Sequence, residues 1–177
     1  MLSLVRKARK DGDTVPKVCC FTGNREMHAI KPSELYQKLR VTLIDLIENK
    51  GFTDFRAGGA RGFDTVAALC VLELKAIYPQ VKLHLYLPCK NQERYYNSIE
   101  RKFYYATLDK ADTSRYIQAN YSNTAMFARN RALVDGSEQC VAFSSKSSGG
   151  TYYTVNYANQ KNVPVIHLFD RKTGRLI

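Results

Sequence analysis

The sequence predicts an α/β fold with a mostly parallel central sheet and helices on both faces of that sheet. Two patterns support this prediction. Short apolar runs alternate with longer segments of helical periodicity, and most of the apolar runs end in glycine, proline or serine. Short apolar runs of this kind are typical of buried parallel strands. Their regular alternation with helices is typical of a sheet built from βαβ units.

Strands and helices are predicted in alternation along the chain. The predicted strands are residues 17–22, 54–57, 81–87, 113–117, 139–144 and 163–168, and the fourth has the weakest pattern because it begins with polar residues. The predicted helices are residues 33–49, 63–78, 91–108, 123–135 and 151–160. The first helix carries its leucines on one face and stops at Gly51, and the second stops at Pro79, as expected of helix ends.

A chain of 177 residues fits one domain of ordinary size. We expect this domain to span residues 17–168. Residues 1–16 are predicted to be a basic N-terminal tail or an added element, and residues 169–177 a C-terminal tail. No apolar run reaches the roughly 18 residues that cross a bilayer, and the first residues lack the apolar core of a signal peptide. A cytoplasmic protein without a membrane partner is therefore expected.

The charge and the cysteines restrict the classes of function. The chain has 27 basic and 16 acidic residues, a net charge of +11, and such a balance favours nucleotides or nucleic acid as partners. A solvated basic surface explains the same charge equally well. Five cysteines, none in a C-x-x-C pair, argue against a disulfide framework or a zinc site. His28, His84 and His167 form no plausible metal set, so neither a metal nor a cofactor is predicted.

Three strand-to-helix loops have unusual sequences: FTGNRE after the first strand, AGGARGFD after the second and SSKSSGGTYYT after the fifth. Ligands of open α/β sheets bind outside the carboxyl ends of the strands, which is where these loops lie. Glycines allow either a tight turn or the approach of a phosphate to bare amides at a helix start. The loops contain neither G-x-x-x-x-G-K-[ST] nor G-x-G-x-x-G, so an ordinary ATPase or dinucleotide dehydrogenase is not supported.

Five segments occur in an order that resembles a known superfamily: TGNR, GGARGFDTVAA, LYLPCKNQE, MFARNRALVD and SGGTYYTVNYA. Together they resemble the SLOG superfamily of Rossmann-like nucleotide-binding proteins, which includes the DprA/Smf DNA-processing proteins and the LOG-type nucleotide phosphoribohydrolases. They are similar in particular to the small YpsA- and YoqJ-like branch. The resemblance implies a Rossmann-like domain whose glycine loops hold a nucleotide or a nucleotide-derived ligand. That branch usually reads TGHRP, whereas here Asn24 and Glu26 replace the histidine and the proline.

The residues predicted to bind the ligand lie in or beside these loops and on the fourth helix. They are Thr22, Gly23, Arg25, Gly58, Gly59, Arg61, Gly62, Asp64, Asn91, Gln92, Arg129, Asn130, Ser148, Gly149, Gly150 and Thr151. Bare amides and hydroxyl groups suit phosphate oxygens, and arginine forms bidentate pairs with phosphate.

Several of these residues have a structural explanation as well. Arg25 pairs with a phosphate or is an ordinary surface side chain. Asp64 binds a ribose hydroxyl or caps the following helix. The serine- and glycine-rich run 144–151 holds an anion or is a flexible surface loop. Arg129, in preference to Arg131, matches the arginine of the LOG-type M-x-x-R-K/N segment.

The leading prediction is a protein that binds a nucleotide-type small molecule, for instance a signalling nucleotide that it senses or sequesters. One alternative is DprA-like binding of single-stranded nucleic acid, which the net charge and the Tyr-, Lys- and Arg-rich segment LPCKNQERYYNSIERKFYY favour. A second alternative is a LOG-like phosphoribohydrolase. The resemblance places Thr154 and Ala128 where LOG-type enzymes carry glutamates, so no catalytic residue is predicted. Pairing of copies into a homo-oligomer is left open.

Overall fold

The predicted α/β fold is confirmed by the computed structural model, which describes residues 15–27 and 30–177. The sheet consists of β1 (Lys17–Gly23), β2 (Phe52–Ala57), β3 (Lys82–Leu87), β4 (Thr113–Tyr116), β5 (Gln139–Phe143) and β6 (Val165–His167). The helices are α1 (Pro32–Glu48), α2 (Phe63–Ile77), α3 (Ser98–Lys110), α4 (Asn123–Val134) and α5 (Gly150–Gln160). Residues 1–14 of the predicted N-terminal element, and His28, lie outside the described residues.

The order of the strands reverses beside β1. All neighbouring strands pair in parallel, in the order β4-β3-β2-β1-β5-β6. The chain therefore moves outward from β1 to β4 and then returns to place β5 against the other side of β1. The loops after β1 and β5 leave the sheet in different directions, and a crevice opens between them. Ligands of open α/β sheets bind at such a point.

The helices cover the sheet from both sides. Cys19 and Phe21 of β1 belong to a core that contains the buried residues of α1 and α2, whereas Cys20 packs with Leu133 of α4 and Ala158 of α5. Successive residues of a strand point to opposite faces, so α1 and α2 lie on one face and α4 and α5 on the other. α3 packs beside α2. Burial on both faces explains why the central strands β1 and β5 contain continuous apolar runs.

The single helix expected over residues 91–108 is wrong, because the structure divides it. Gln92–Tyr95 form one turn of 3₁₀ helix, and α3 begins at Ser98. Asn97 accepts a hydrogen bond from the amide of Glu100 at 2.9 Å, and the Glu100 carboxylate accepts one from the amide of Asn97 at 2.9 Å. This reciprocal capping fixes the start of α3.

The segment after residue 168, expected to be a tail, forms a packed hairpin. β7 (Phe169–Asp170) and β8 (Arg175–Leu176) pair antiparallel. Phe169 is buried, with its ring centroid 5.4 Å from that of Phe143, so the hairpin extends the core. The described helices include none that is long and apolar enough to cross a membrane.

Candidate functional site

A cavity of about 600 Å³ lies at the crevice between the carboxyl ends of β1 and β5. Its volume is in the usual range for small-molecule sites. The walls come from the loops after β1, β2 and β5, from Tyr121 before α4, and from one face of α4. The cavity therefore occupies the place that the strand order indicates for a ligand.

The structure brings most of the predicted ligand residues together around this cavity. Those that line it are Thr22, Gly23, Arg25, Arg61, Asp64, Arg129, Asn130, Ser148, Gly149, Gly150 and Thr151. Those that do not line it are Gly58, Gly59, Gly62, Asn91 and Gln92. Sequence reasoning missed further lining residues, namely Phe21, Asn24, Glu26, Ala60, Tyr121, Met126, Phe127, Leu133 and Lys146.

The β2–α2 loop (residues 58–62) is held by a buried ion pair. The Asp64 carboxylate accepts hydrogen bonds from the amides of Gly58 at 3.1 Å and Ala60 at 3.4 Å. Arg129 Nη1 donates to the Gly58 carbonyl at 2.6 Å and lies 3.4 Å from Asp64 Oδ2. Both charged side chains belong to residues that are only 5% exposed. Asp64 thus fixes the loop, and the expectation that it caps α2 is wrong: the N-cap position is Gly62, and Asp64 lies in the first turn and accepts from the loop amides of Gly58 and Ala60.

Burial shifts both members of this pair toward their neutral forms. It raises the pKa of Asp64, while the charge of Arg129 and the two loop amides act in the opposite direction. Burial lowers the pKa of Arg129, and the Asp64 carboxylate opposes that change. Each charge therefore depends on the other, because a buried charge without a partner is costly.

The glycines of the β2–α2 loop are required by internal contacts. A Cβ on Gly58 would lie 1.5 Å from Arg129 Nη1, and a Cβ on Gly59 would lie 2.5 Å from Leu87 Cδ2. Gly62 has a φ of 81°, and its Cβ would lie 2.3 Å from the backbone oxygen of Arg25. These glycines let the loop pack against neighbouring segments. They are therefore needed for packing, and they do not line the cavity.

The predicted residues Asn91 and Gln92 also serve this loop or its surroundings. Gln92 Nε2 donates a hydrogen bond to the Gly59 carbonyl at 3.1 Å, and the Tyr96 hydroxyl donates to the same oxygen at 3.2 Å. Asn91 adopts a left-handed conformation, with a φ of 60°, just before the 3₁₀ turn. Gln92 therefore supports the β2–α2 loop, and neither Asn91 nor Gln92 lines the cavity.

The β5–α5 loop (residues 144–149) presents its glycines differently. Gly149 has a φ of 89°, and no heavy atom lies within 4 Å of the Cβ that a side chain would add. A Cβ on Gly150 would meet only Asn130 Nδ2, at an ordinary contact distance of 3.5 Å. α5 starts after Gly149 without a side-chain cap. The first amides of a helix have no intrahelical partner, so this end of α5 offers donors beside the cavity.

The loop after β1 is tied to the β5–α5 loop by a residue that sequence reasoning passed over. Asn24 Oδ1 accepts hydrogen bonds from the amide of Ser145 at 2.7 Å and from its hydroxyl at 3.1 Å. The Asn24 carbonyl accepts from the amide of Phe63 at 3.1 Å. Asn24, which departs from the histidine usual in the branch, thus joins three segments at the cavity. The signals in the sequence were its place in the unusual loop FTGNRE and its replacement of the histidine usual in the branch.

The cavity lining is basic overall. It contains four basic side chains, Arg25, Arg61, Arg129 and Lys146, against the two carboxylates Glu26 and Asp64. Arg61 lies 3.7 Å from Glu100, and Lys146 lies 3.8 Å from Glu26. Both of these pairs are solvent-exposed and therefore weak.

Thr154 and the potential metal ligands lie as follows. Thr154, which replaces the LOG-type glutamate, is fully buried, and its hydroxyl donates to the Gly150 carbonyl at 2.8 Å. It supports the first turn of α5 and does not line the cavity. Within the described residues, no three His, Cys, Asp or Glu side chains form a group that could hold a metal ion.

Two comparisons of sequence match known proteins. The family model YpsA, described as the YspA SLOG family, matches residues 21–168. The uncharacterized SPbeta prophage-derived protein YoqJ of Bacillus subtilis (strain 168) is 29% identical over 139 residues, which cover 72% of this chain and 81% of YoqJ.

Two solved structures of DNA processing protein A are similar in fold. The Helicobacter pylori protein, described for its single-stranded DNA binding mode, has a TM-score of 0.60 at 18% identity, over 88% of this chain and 66% of that one. The Streptococcus pneumoniae protein has a TM-score of 0.58 at 20% identity, over 86% of this chain and 50% of that one. The chain thus spans about two thirds of the first structure and half of the second.

Proposed function

Because the chain belongs to the YspA SLOG family, we propose that it binds a nucleotide or a nucleotide-derived small molecule in the cavity between β1 and β5. One observation carries the proposal: the cavity joins an uncapped helix start to a basic lining at the point where the strand order reverses. A signalling nucleotide that the protein senses or sequesters is one ligand of this kind.

The phosphate end of the ligand is assigned to the start of α5. The amides of its first turn lack intrahelical partners, and the positive end of the helix dipole favours an anion. Ser148 and Thr151 add hydroxyl groups beside these amides, and Lys146 and Arg25 add positive charge to the same lining. The open space beside Gly149 leaves the backbone accessible to a phosphate oxygen.

Thermal unfolding in the presence of nucleotides tests this proposal. The panel contains the four nucleoside 5′-monophosphates, cyclic nucleotides and ADP-ribose. A ligand at 100 times its dissociation constant stabilises the fold by about 2.7 kcal/mol, so at least one compound should raise the melting temperature. Failure of the whole panel at millimolar concentration would overturn the proposal.

Two lysine variants connect that binding to the cavity. Lys146→Gln removes a charge from the lining and should weaken binding of the compound roughly tenfold, the lower end of the range for one charge-assisted contact. Lys172→Gln is the matched control, since Lys172 is also exposed but belongs to the turn between β7 and β8. Equal affinities of the two variants would place the ligand elsewhere.

Binding of single-stranded nucleic acid is the second candidate, favoured by an exposed aromatic and basic surface at the rim of the cavity. The Arg94 guanidinium lies 4.6 Å from the Tyr95 ring centroid and 5.4 Å from that of Tyr121. These rings are 75% and 53% exposed, and bases stack on such rings. This candidate predicts that an oligonucleotide of about 20 nucleotides, longer than one typical site, binds with an affinity that falls steeply with salt. Absence of a mobility shift at low salt would exclude it.

We further propose that the protein binds its ligand without hydrolysing it to base and ribose phosphate. A hydroxyl at Thr154 cannot act as a carboxylate base, and general acid–base catalysis is worth about 10²–10⁴-fold in rate. Glu26 is the lining carboxylate outside the buried ion pair. Incubation with AMP, followed by chromatography for free adenine, tests this point. Turnover that Glu26→Gln abolishes would restore the enzyme.

A further inference from the structure

Resting on the proposed function, we propose that the cavity contains a separate subsite for the base, formed by the side chains of Tyr121, Met126 and Phe127. The nucleotide then lies with its phosphate at the start of α5 and its base on this apolar wall. In this orientation the apolar wall contacts the base, the part of the ligand that distinguishes a nucleotide from a simpler phosphate.

The wall is large, apolar and left open by the fold. Tyr121, Met126 and Phe127 all line the cavity. Tyr121 is 53% exposed and Phe127 is 41% exposed, although aromatic side chains of this size gain most when they are buried. Two exposed aromatic side chains in the lining of one concave site offer surface that a flat group can cover.

Both rings are held in place by residues outside the lining. The Arg94 guanidinium lies over the Tyr121 ring, 5.4 Å from its centroid. The Phe127 ring meets that of Tyr153 edge to face, with centroids 4.7 Å apart. Because the rings already have fixed neighbours, a base that stacks on them loses less in ordering the site than it would against free side chains.

The two ends of the lining differ in chemistry. The start of α5 and Lys146 offer amides, hydroxyls and positive charge, whereas the wall of Tyr121, Met126 and Phe127 carries no charge. A ligand that uses both ends needs an anionic group joined to a flat apolar body. A nucleotide has this combination, and a sugar phosphate or inorganic phosphate does not. Since every base has a stacking face, the wall is expected to accept all four bases.

Calorimetric titration of four proteins with two kinds of probe tests the subsite. The probes are the nucleoside 5′-monophosphates and ribose 5-phosphate, which lacks the base. The proteins are the wild type, Tyr121→Ala, Phe127→Ala and the control Tyr105→Ala, whose ring is 52% exposed on α3 and outside the cavity. Loss of one stacking partner should weaken the monophosphates about tenfold and leave ribose 5-phosphate unchanged. The control should match the wild type with both probes.

The failures of the two proposals are distinguishable. Monophosphates that bind equally well to wild type, Tyr121→Ala and Phe127→Ala, yet more weakly to Lys146→Gln, overturn the base subsite and leave the proposed function intact. A wild type that binds neither monophosphates nor ribose 5-phosphate overturns the proposed function and the subsite with it. Phe127→Leu keeps most of the apolar volume and removes the ring, so it replaces Phe127→Ala if circular dichroism shows that the alanine variant is unfolded.

Discussion

The β2–α2 loop contains Gly58, Gly59 and Gly62, and the β5–α5 loop ends in Gly149 just before Gly150 of α5, yet these glycines have different surroundings. In the β2–α2 loop, an added Cβ would lie 1.5 Å from Arg129 at Gly58 and 2.5 Å from Leu87 at Gly59. In the β5–α5 loop, an added Cβ at Gly149 would meet no heavy atom within 4 Å. The first loop uses glycine to bring protein segments together, and the second leaves its backbone open beside the cavity.

Because of this difference, substitutions in the two segments should affect different quantities, the free energy of unfolding for one and ligand affinity for the other. Substitutions in the β2–α2 loop and its buried ion pair should lower the free energy of unfolding, because they disturb buried contacts. Substitutions of Ser148 or Gly150 should leave that free energy nearly unchanged and act on the ligand, whereas any side chain at Gly149, with its φ of 89°, would strain the backbone. A glycine-rich motif therefore has two meanings, and the atoms that surround each glycine decide between them.

Removal of the Arg129 charge should give the largest effect. Arg129→Met leaves the buried Asp64 carboxylate without its counter-ion, and breaking a buried pair in this way costs about 3–5 kcal/mol. Denaturant unfolding measures this loss. Arg131→Met, on the same helix, removes an exposed guanidinium that donates to the Tyr153 hydroxyl at 2.9 Å, and it should cost only a small fraction as much. Adding Asp64→Asn to Arg129→Met should restore part of the loss, whereas equal losses for the two arginine variants would refute the role of the buried ion pair.

Two glycine-to-alanine variants test the different surroundings of the β2–α2 loop and of the start of α5. Neither Gly58 nor Gly150 has a positive φ, so only the space around the new methyl group differs. Gly58→Ala places that group against Arg129 and should cost about 1–3 kcal/mol, the usual range for overpacking. Gly150→Ala finds an ordinary contact and should be neutral or stabilising by about 0.4–1 kcal/mol. Equal destabilisation in thermal or denaturant unfolding would remove the distinction between the loops.

The pH dependence of the Arg129→Met variant follows from Asp64. Burial raises the pKa of this carboxyl, and loss of the Arg129 charge raises it further. When the pKa of a carboxyl is higher in the folded than in the unfolded protein, the unfolding free energy falls as the pH rises from the unfolded pKa to the folded pKa. The wild type and the variant should therefore differ more near pH 7 than near pH 4, by about 1.4 kcal/mol for each unit of further pKa shift. A difference in unfolding free energy that grows on acidification would contradict this assignment.

Much of the fold could be predicted from the sequence, because the central strands β1 and β5, buried on both faces, leave continuous apolar runs and amphipathic helices leave a periodic pattern. The break before α3 was missed because it depends on the cap at Asn97, inside a segment that reads as helical throughout.

The position of the candidate site followed from the strand-to-helix loops, but the roles of its residues did not. The side chain that covers Gly58 comes from Arg129, 71 residues further along the chain, and no local pattern reports such a contact. Tyr121 and Phe127 were missed for a related reason. In the sequence, a single aromatic residue in a polar loop or on a helix indicates an ordinary surface or core residue. The structure shows that both side chains line the same cavity.

We propose that the ligand's phosphate contacts the start of α5, whereas the glycines of the β2–α2 loop serve packing. Titration of the isotope-labelled protein with AMP, monitored by the amide resonances of both segments, distinguishes these roles. We expect large shifts for the amides of residues 148–151 and little change for those of Gly58 and Gly59. Large shifts at Gly58 and Gly59 with none at residues 148–151, or no shift in either segment, would contradict this proposal.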